Sequence, residues 1–154
     1  MIQSNSSSLV LGDAMLDRDH AELHRLIQVQ LTESGGAAVA ALDELRCECR
    51  EHFGREDLDL LYLGGNNVSC HIDEHAAVLK SLDEVHSILC DDSTTPETAQ
   101  RLVASLSLEL LRWLPEHVRE MDAGLAAMRC KSRFGSAPLT LVRKADIDSA
   151  SSLT

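Results

Sequence analysis

An all-α, up-down-up-down four-helix bundle is what this 154-residue sequence predicts, and three observations carry the expectation. Apolar residues recur every three or four positions through four long stretches. Short breakers separate those stretches: Gly35-Gly36, Gly64 through Asn67, and Asp91 through Thr95. Leu and Ala predominate over β-branched residues in a chain that is 44% hydrophobic but only 3% aromatic, so the core is aliphatic and helix-forming.

Residues 1–12 read as a flexible polar arm. Asp13 or Asp17 caps a first helix running to about Thr32, with Leu16, His20, Leu23, Ile27 and Gln30 or Leu31 on its inner line. Gly35-Gly36 ends it. A second helix from about Ala37 to Leu63 turns Leu42, Leu45, Cys49, His52, Glu56 and Leu60 inward. The third, Val68 to Leu89, aligns His71, His75, Val78, Leu82, Val85 and Leu89. Pro96 suits the first position of the fourth helix, which carries Leu102, Leu106, Leu110, Trp113, His117, Met121 and Met128 to about Arg129. The bundle proper spans 13–130. Residues 131–154 form an extension in which Leu139 through Val142 reads as a short strand-like segment.

A length of 154 residues suits one domain with a full core. The net charge of −11 argues against nucleic acid and anionic membranes as partners. No apolar run approaches the roughly 20 residues that span a bilayer. The start lacks the basic region of a signal peptide, so a cytoplasmic location is expected. The five cysteines, Cys47, Cys49, Cys70, Cys90 and Cys130, then read as free thiols, most of them small core fillers.

Polar residues interrupt the apolar stripes at one level of the bundle. His52 and Glu56, and likewise His71 and His75, lie four apart, which stacks each pair on one helix face. At about 1.5 Å per residue, His20, His52, Glu56, His71, His75, His117 and Asp122 all fall near the end where the first and third helices start. Each alone has an ordinary explanation as a hydrogen-bonded core or boundary residue. Together, five imidazoles and two carboxylates would be costly to bury uncompensated. Two metal ions bridged by the carboxylates would offset that cost and leave a coordination position open. The weak link is the His117–Asp122 spacing, because five residues on lie about 140° around an ideal helix. A local π-bulge would turn both inward.

In its segments DRDHAEL (17–23), HFGRED (52–57), HIDEH (71–75) and WLPEHVREMD (113–122), the sequence resembles the hemerythrin family, in particular its single-domain bacterial members. That resemblance implies a four-helix bundle holding two non-haem iron ions joined by an oxo or hydroxo group. It implies that His71, His75 and His117 bind one iron, that His20 and His52 bind the other, and that Glu56 and Asp122 bridge them. It further implies reversible dioxygen binding in a dry pocket formed by Leu23, Trp113 and Leu114. The ligand set differs from ferritin-like oxidases, which use more carboxylates and Glu-x-x-His motifs.

The chain departs from the family pattern in three places. His24 stands where an aromatic is common and reads as a donor behind the ligands, an alternative ligand or a boundary histidine. Pro115 should kink the fourth helix. The tryptophan common in the N-terminal arm is absent. His86 reads as surface. The leading functional expectation is an oxygen carrier or sensor rather than an enzyme, with room for a redox partner protein. The alternatives are a diiron enzyme handling peroxide or nitric oxide, and a buffer for iron or zinc.

Overall fold

The structure is a computed structural model that describes residues 9–134. The expected strand-like segment 139–142 lies outside the described residues. Helix α1 spans Ala14–Thr32, α2 Gly35–Leu63, α3 Val68–Leu89 and α4 Pro96–His117. A π-helical turn, Val118–Asp122, joins α4 to α5, Ala123–Phe134, so the fourth arm of the bundle is one continuous rod. Each helix packs on its two neighbours in the square: α1 on α2 and α4, α3 on α2 and α4. This is the expected four-helix bundle. Among the described residues, no helix is long and apolar enough to cross a membrane.

Local chemistry sets the helix ends. Asp13 caps α1 by accepting from the Leu16 N–H at 3.2 Å, and Thr95 caps α4 with Pro96 in its first turn. Gly35 and Gly36 do not terminate α1, as their composition predicts; they open α2, and Glu33 and Ser34 form the link. Gly64 and Gly65 both adopt positive φ, 72° and 112°, and Asn67 follows at 65°. This left-handed path, which favours Gly and Asn, folds α2 back onto α3 within a few residues.

Leu23, Leu26, Ile27, Leu42, Leu45, Phe53, Leu82, Leu110 and Leu114 form the core. Of the N-terminal arm, residues 9–12 lie against the bundle. Leu9 is buried, and the Asp17 carboxylate accepts from the Leu11 and Gly12 N–H groups at 2.7 and 3.0 Å. The inner line of α4 is rotated from the expected one. Val103, Ser107, Leu110, Leu114 and His117 are buried, whereas Leu102, Leu106 and Trp113 flank the line half-buried. A polar residue on the buried line obscures it in the sequence; the Ser107 hydroxyl is satisfied by the Val103 carbonyl at 2.7 Å.

The thiols depart from expectation. Cys49 alone is buried, and burial pushes its thiol up to about 12, while Cys47, Cys70 and Cys90 are exposed and Cys130 is half-buried. Their positions fall on outward faces of helices whose inner faces are filled by Leu. His86 is half-buried instead of lying on the surface, with Nε2 at 2.9 Å from Asp43 Oδ1.

Candidate metal centre

All seven residues singled out in the sequence converge at one end of the bundle, and all are buried to 3% exposure or less. They form two groups, one of Glu56, His71, His75, His117 and Asp122, the other of His20, His52, Glu56 and Asp122. Within each group the donor atoms lie within 4.8 Å of one another. The two carboxylates belong to both groups. Glu56 Oε1 lies 2.9 Å from His52 Nε2 and 3.8 Å from His20 Nε2, while its Oε2 lies 3.1 Å from His75 Nε2 and 3.6 Å from His71 Nε2. Asp122 divides in the same way, with Oδ2 at 2.8 Å from His20 Nε2 and Oδ1 at 2.8 and 3.1 Å from the Nε2 atoms of His71 and His117.

Asp122 reaches this position through the π turn. Shortly after Pro115 the helix widens to a π turn over Val118–Asp122, in which the Ala123 N–H reaches back to the Val118 carbonyl. The widened turn cancels the 140° offset, so His117 and Asp122 share the inner face.

A ring of carboxylates that helical spacing alone did not reveal holds the imidazoles. Asp57 on α2 lies 2.6 Å from His75 Nδ1 on α3, Asp19 on α1 lies 3.2 Å from His52 Nδ1 on α2, and Glu74 on α3 pairs with His117 Nδ1 on α4. Asp19 is itself held by Arg55 at 2.9 Å, and Arg55 and His52 keep its carboxyl below the usual range against the opposing effect of burial. A carboxylate accepts, so each of these Nδ1 atoms carries a proton, and in the neutral ring that leaves Nε2 as the lone-pair atom facing inward. His75 Nε2 and His117 Nε2 face each other at 3.1 Å in this way. At that distance the two nitrogens need either a proton shared between them as a hydrogen bond or a metal cation held by both.

The buried oxygens of Glu56 and Asp122, with the Nε2 atoms of His20 and His71, have no hydrogen-bond partner despite these short separations. The donor atoms lie close enough together for common points to serve them all, which is the arrangement of a ligand set. The donor chemistry, imidazole with carboxylate, suits a divalent transition metal. The cluster therefore fits a metal-binding site.

Apolar walls close the site. Phe53, passed over in the sequence, stacks on His75 with a centroid separation of 4.2 Å and an interplanar angle of 5°. Trp113 stacks on His117 at 4.3 Å and meets Phe53 edge-on at 6.0 Å. Leu23 and Leu114 are fully buried nearby in the core. The one sequence signal for Phe53 is its place directly after His52 in a chain with few aromatics. His24 is buried, which lowers its pKa, and it belongs to neither donor group.

Without metal, the cluster must balance its own charges. Burial opposes the charged form of His20 and His71, but the Asp122 and Glu56 carboxylates outweigh it and raise both to about 9. Burial likewise opposes the charged form of Glu56, yet the imidazoles of His20, His52, His71 and His75 pull it far below the usual carboxylate range. A histidine whose folded pKa is raised contributes stability that is fully present below its unfolded value and is lost as the pH climbs through the folded one. The metal-stripped protein should therefore lose stability between pH 6.5 and about 9, read as a falling urea midpoint. Loading it with a divalent metal near neutral pH should release protons from His20, His71 and His52, measured with an indicator dye. A flat midpoint and no proton release would contradict this charge balance.

The family model described as "Hemerythrin HHE cation binding domain" matches residues 11–128. A protein named "Bacteriohemerythrin" from Ralstonia nicotianae (strain ATCC BAA-1114 / GMI1000) is 32% identical over 117 residues, covering 76% of this chain and 81% of the relative. No solved structure matches the chain. The family match takes in every residue of the cluster and most of the described bundle, and on that basis the chain belongs to the hemerythrin family.

Proposed function

We propose that this protein binds dioxygen reversibly at a non-haem diiron centre. In this reading His71, His75, His117 and His20, His52 hold the two ions, and Glu56 and Asp122 bridge them. One observation carries it: each carboxylate points one oxygen at the three-histidine group and the other at the two-histidine group. That division is what two adjacent ions require, and a single mononuclear site would leave half of it unused. The family membership and the name of the Ralstonia relative support iron and dioxygen over other metals and ligands.

The iron pair supplies the oxygen chemistry when bound. The chain's own residues set the conditions. The two-histidine group has fewer donors than the three-histidine group, so the ion held there keeps room for an exogenous ligand. Asp19, Asp57 and Glu74 fix the tautomers of His52, His75 and His117 and keep Nε2 as the donor atom. Phe53, Trp113, Leu114 and Leu23 exclude water, which limits proton delivery and loss of bound ligand. The chain then serves as an oxygen carrier or sensor in the cytoplasm, with catalysis at most a secondary activity.

The test is an aerobic cycle on reconstituted protein. Reduced, iron-loaded protein should develop a visible absorption band in air, lose it under vacuum, and regain it over repeated cycles. Irreversible bleaching with turnover of peroxide or nitric oxide would overturn the carrier reading in favour of a catalytic one. A colourless protein that purifies with zinc would remove the dioxygen chemistry altogether.

A further inference from the structure

The seven donor residues are 3% exposed or less, so a metal ion reaches them only through a wall that opens. Two cavities border the cluster. One, of about 290 Å³, touches His52 and Glu56 and carries Arg55 and Arg129 on its walls. Its outer carboxylates are already engaged, Asp19 by Arg55 at 2.9 Å and Asp59 by Arg129 at 3.5 Å. The other cavity, of about 330 Å³, lies against His71, between the turn at 64–67 and the π turn. Asn66, Asn67, Glu120, Met121 and Met128 line it, and among the described residues no Lys or Arg does. A guanidinium repels an arriving cation, whereas a carboxylate draws it in. Arg119 lies 3.6 Å from Glu120, but both side chains are well exposed and solvent screens the pair. At about 30 Å³ per water, a divalent ion with six waters fills about 180 Å³, so the second cavity holds it with its hydration shell.

His71 is the one residue that both borders this cavity and belongs to the donor set, and its ring is the least restrained of the five. Nδ1 of His52, His75 and His117 is held by Asp19, Asp57 and Glu74. His20 is fully enclosed, at 0% exposure. His71 has neither restraint. The carboxylates paired with it among the described residues, Glu56 and Asp122, both meet Nε2 on the inner side. That atom is itself buried and does not reach the cavity, which the remainder of the residue borders. To meet an incoming ion the ring has to swing outward. Its place in the chain favours the movement: His71 lies in the first turn of α3, where the Asn67 side chain makes no cap bond. Helix ends open at far lower cost than helix interiors.

We propose that divalent metal ions load the centre through this cavity, with Glu120 and the turn at 64–67 as a vestibule for the hydrated ion and the His71 ring as the gate that carries it inward. His71 accepts the ion first, and Asp122 Oδ1, 2.8 Å from Nε2 on the inner side, receives it next. The proposal rests on the cluster taking up divalent metal. It is indifferent to which metal that is and to dioxygen.

Cobalt(II) is the probe, mixed by stopped flow with metal-stripped full-length protein. Trp113, the chain's single tryptophan, stacks on His117 at 4.3 Å and reports the arrival of the ion by quenching. Glu120→Lys should slow uptake roughly tenfold at low salt, with the difference shrinking as salt rises. Gly124→Leu fills the cavity from the first turn of α5, where an added Cβ meets nothing within 4 Å. Leucine is the better helix former, so this variant should fold at least as well as the parent while loading severalfold more slowly. Asp59→Lys makes the same charge change at the rival cavity and should leave the rate near that of the parent. All three should reach the parent's final cobalt content, since no donor is altered. A parental rate in either Glu120→Lys or Gly124→Leu, or slowing by Asp59→Lys as large as by Glu120→Lys, would overturn the route. Failure of the parent itself to take up cobalt would overturn the metal reading, and the proposal with it.

Discussion

Replacing Glu56 by Ala is expected to empty both halves of the candidate metal centre. The side chain is buried to 1% exposure, and its two oxygens lie 2.9 Å from His52 Nε2 and 3.1 Å from His75 Nε2. On the proposed dinuclear reading, removing it would take an anionic donor from each ion at once and leave Asp122 as the remaining carboxylate shared by the two donor groups. Two cations close together need bridging negative charge, because a low-dielectric interior screens their repulsion poorly. Metal analysis after desalting should then find well under one ion per chain. Asp57→Asn provides the contrast: it leaves the donor set intact and disturbs the His75 tautomer, and should weaken metal binding by roughly 10–100-fold. Full loading of the Glu56→Ala protein would exclude Glu56 as a bridge and with it the dinuclear arrangement.

Phe53→Ala should produce the largest loss of stability among the core positions around the centre. Phe53 is 1% exposed and lies against His75, Trp113 and, at a centroid distance of 5.6 Å, His52. Truncating a buried Phe costs about 3–5 kcal/mol from lost transfer energy and the cavity that remains. A domain of this size has roughly 5–15 kcal/mol in total, so the urea midpoint of the metal-free protein should fall by a large fraction. The cavity would also sit beside His75 and let water approach it. The oxidised fraction of reduced, iron-loaded protein in air should therefore grow faster than in the parent. A stability change below about 1 kcal/mol would show that the ring stacking on His75 is incidental.

Both predictions draw on features of different legibility. The seven clustered residues could be read from spacing, since His52 with Glu56 and His71 with His75 follow helical periodicity and His20 interrupts an apolar line. Asp122 required more. Its spacing from His117 fits a π turn, and that turn follows Pro115 directly downstream in the same rod. The carboxylates behind the imidazoles were not legible, because their partners lie 33, 18 and 43 residues away in the chain for Asp19, Asp57 and Glu74. Such pairs depend on how far each helix is rotated about its own axis, and spacing within a single helix carries no information on that. The inner line of α4 shows the same limit. Ser107 belongs on it, and only the packing of α4 between α1 and α3 reveals so.

The amino-acid sequence by itself determined the helix count, the turn at 64–67, the aliphatic core and the ligand-type side chains at one level of the bundle. Apolar periodicity, glycine turns and the chemistry of imidazole and carboxylate are local properties, legible residue by residue. The tertiary structure alone decided which oxygen of Glu56 and Asp122 faces which histidine, which acid orients which ring, and that Gln30 rather than Leu31 is buried at the end of α1. Each of those depends on the axial rotation and register of one helix against another. That quantity is set by the close packing of the whole core, and it has no counterpart in any single stretch of the chain.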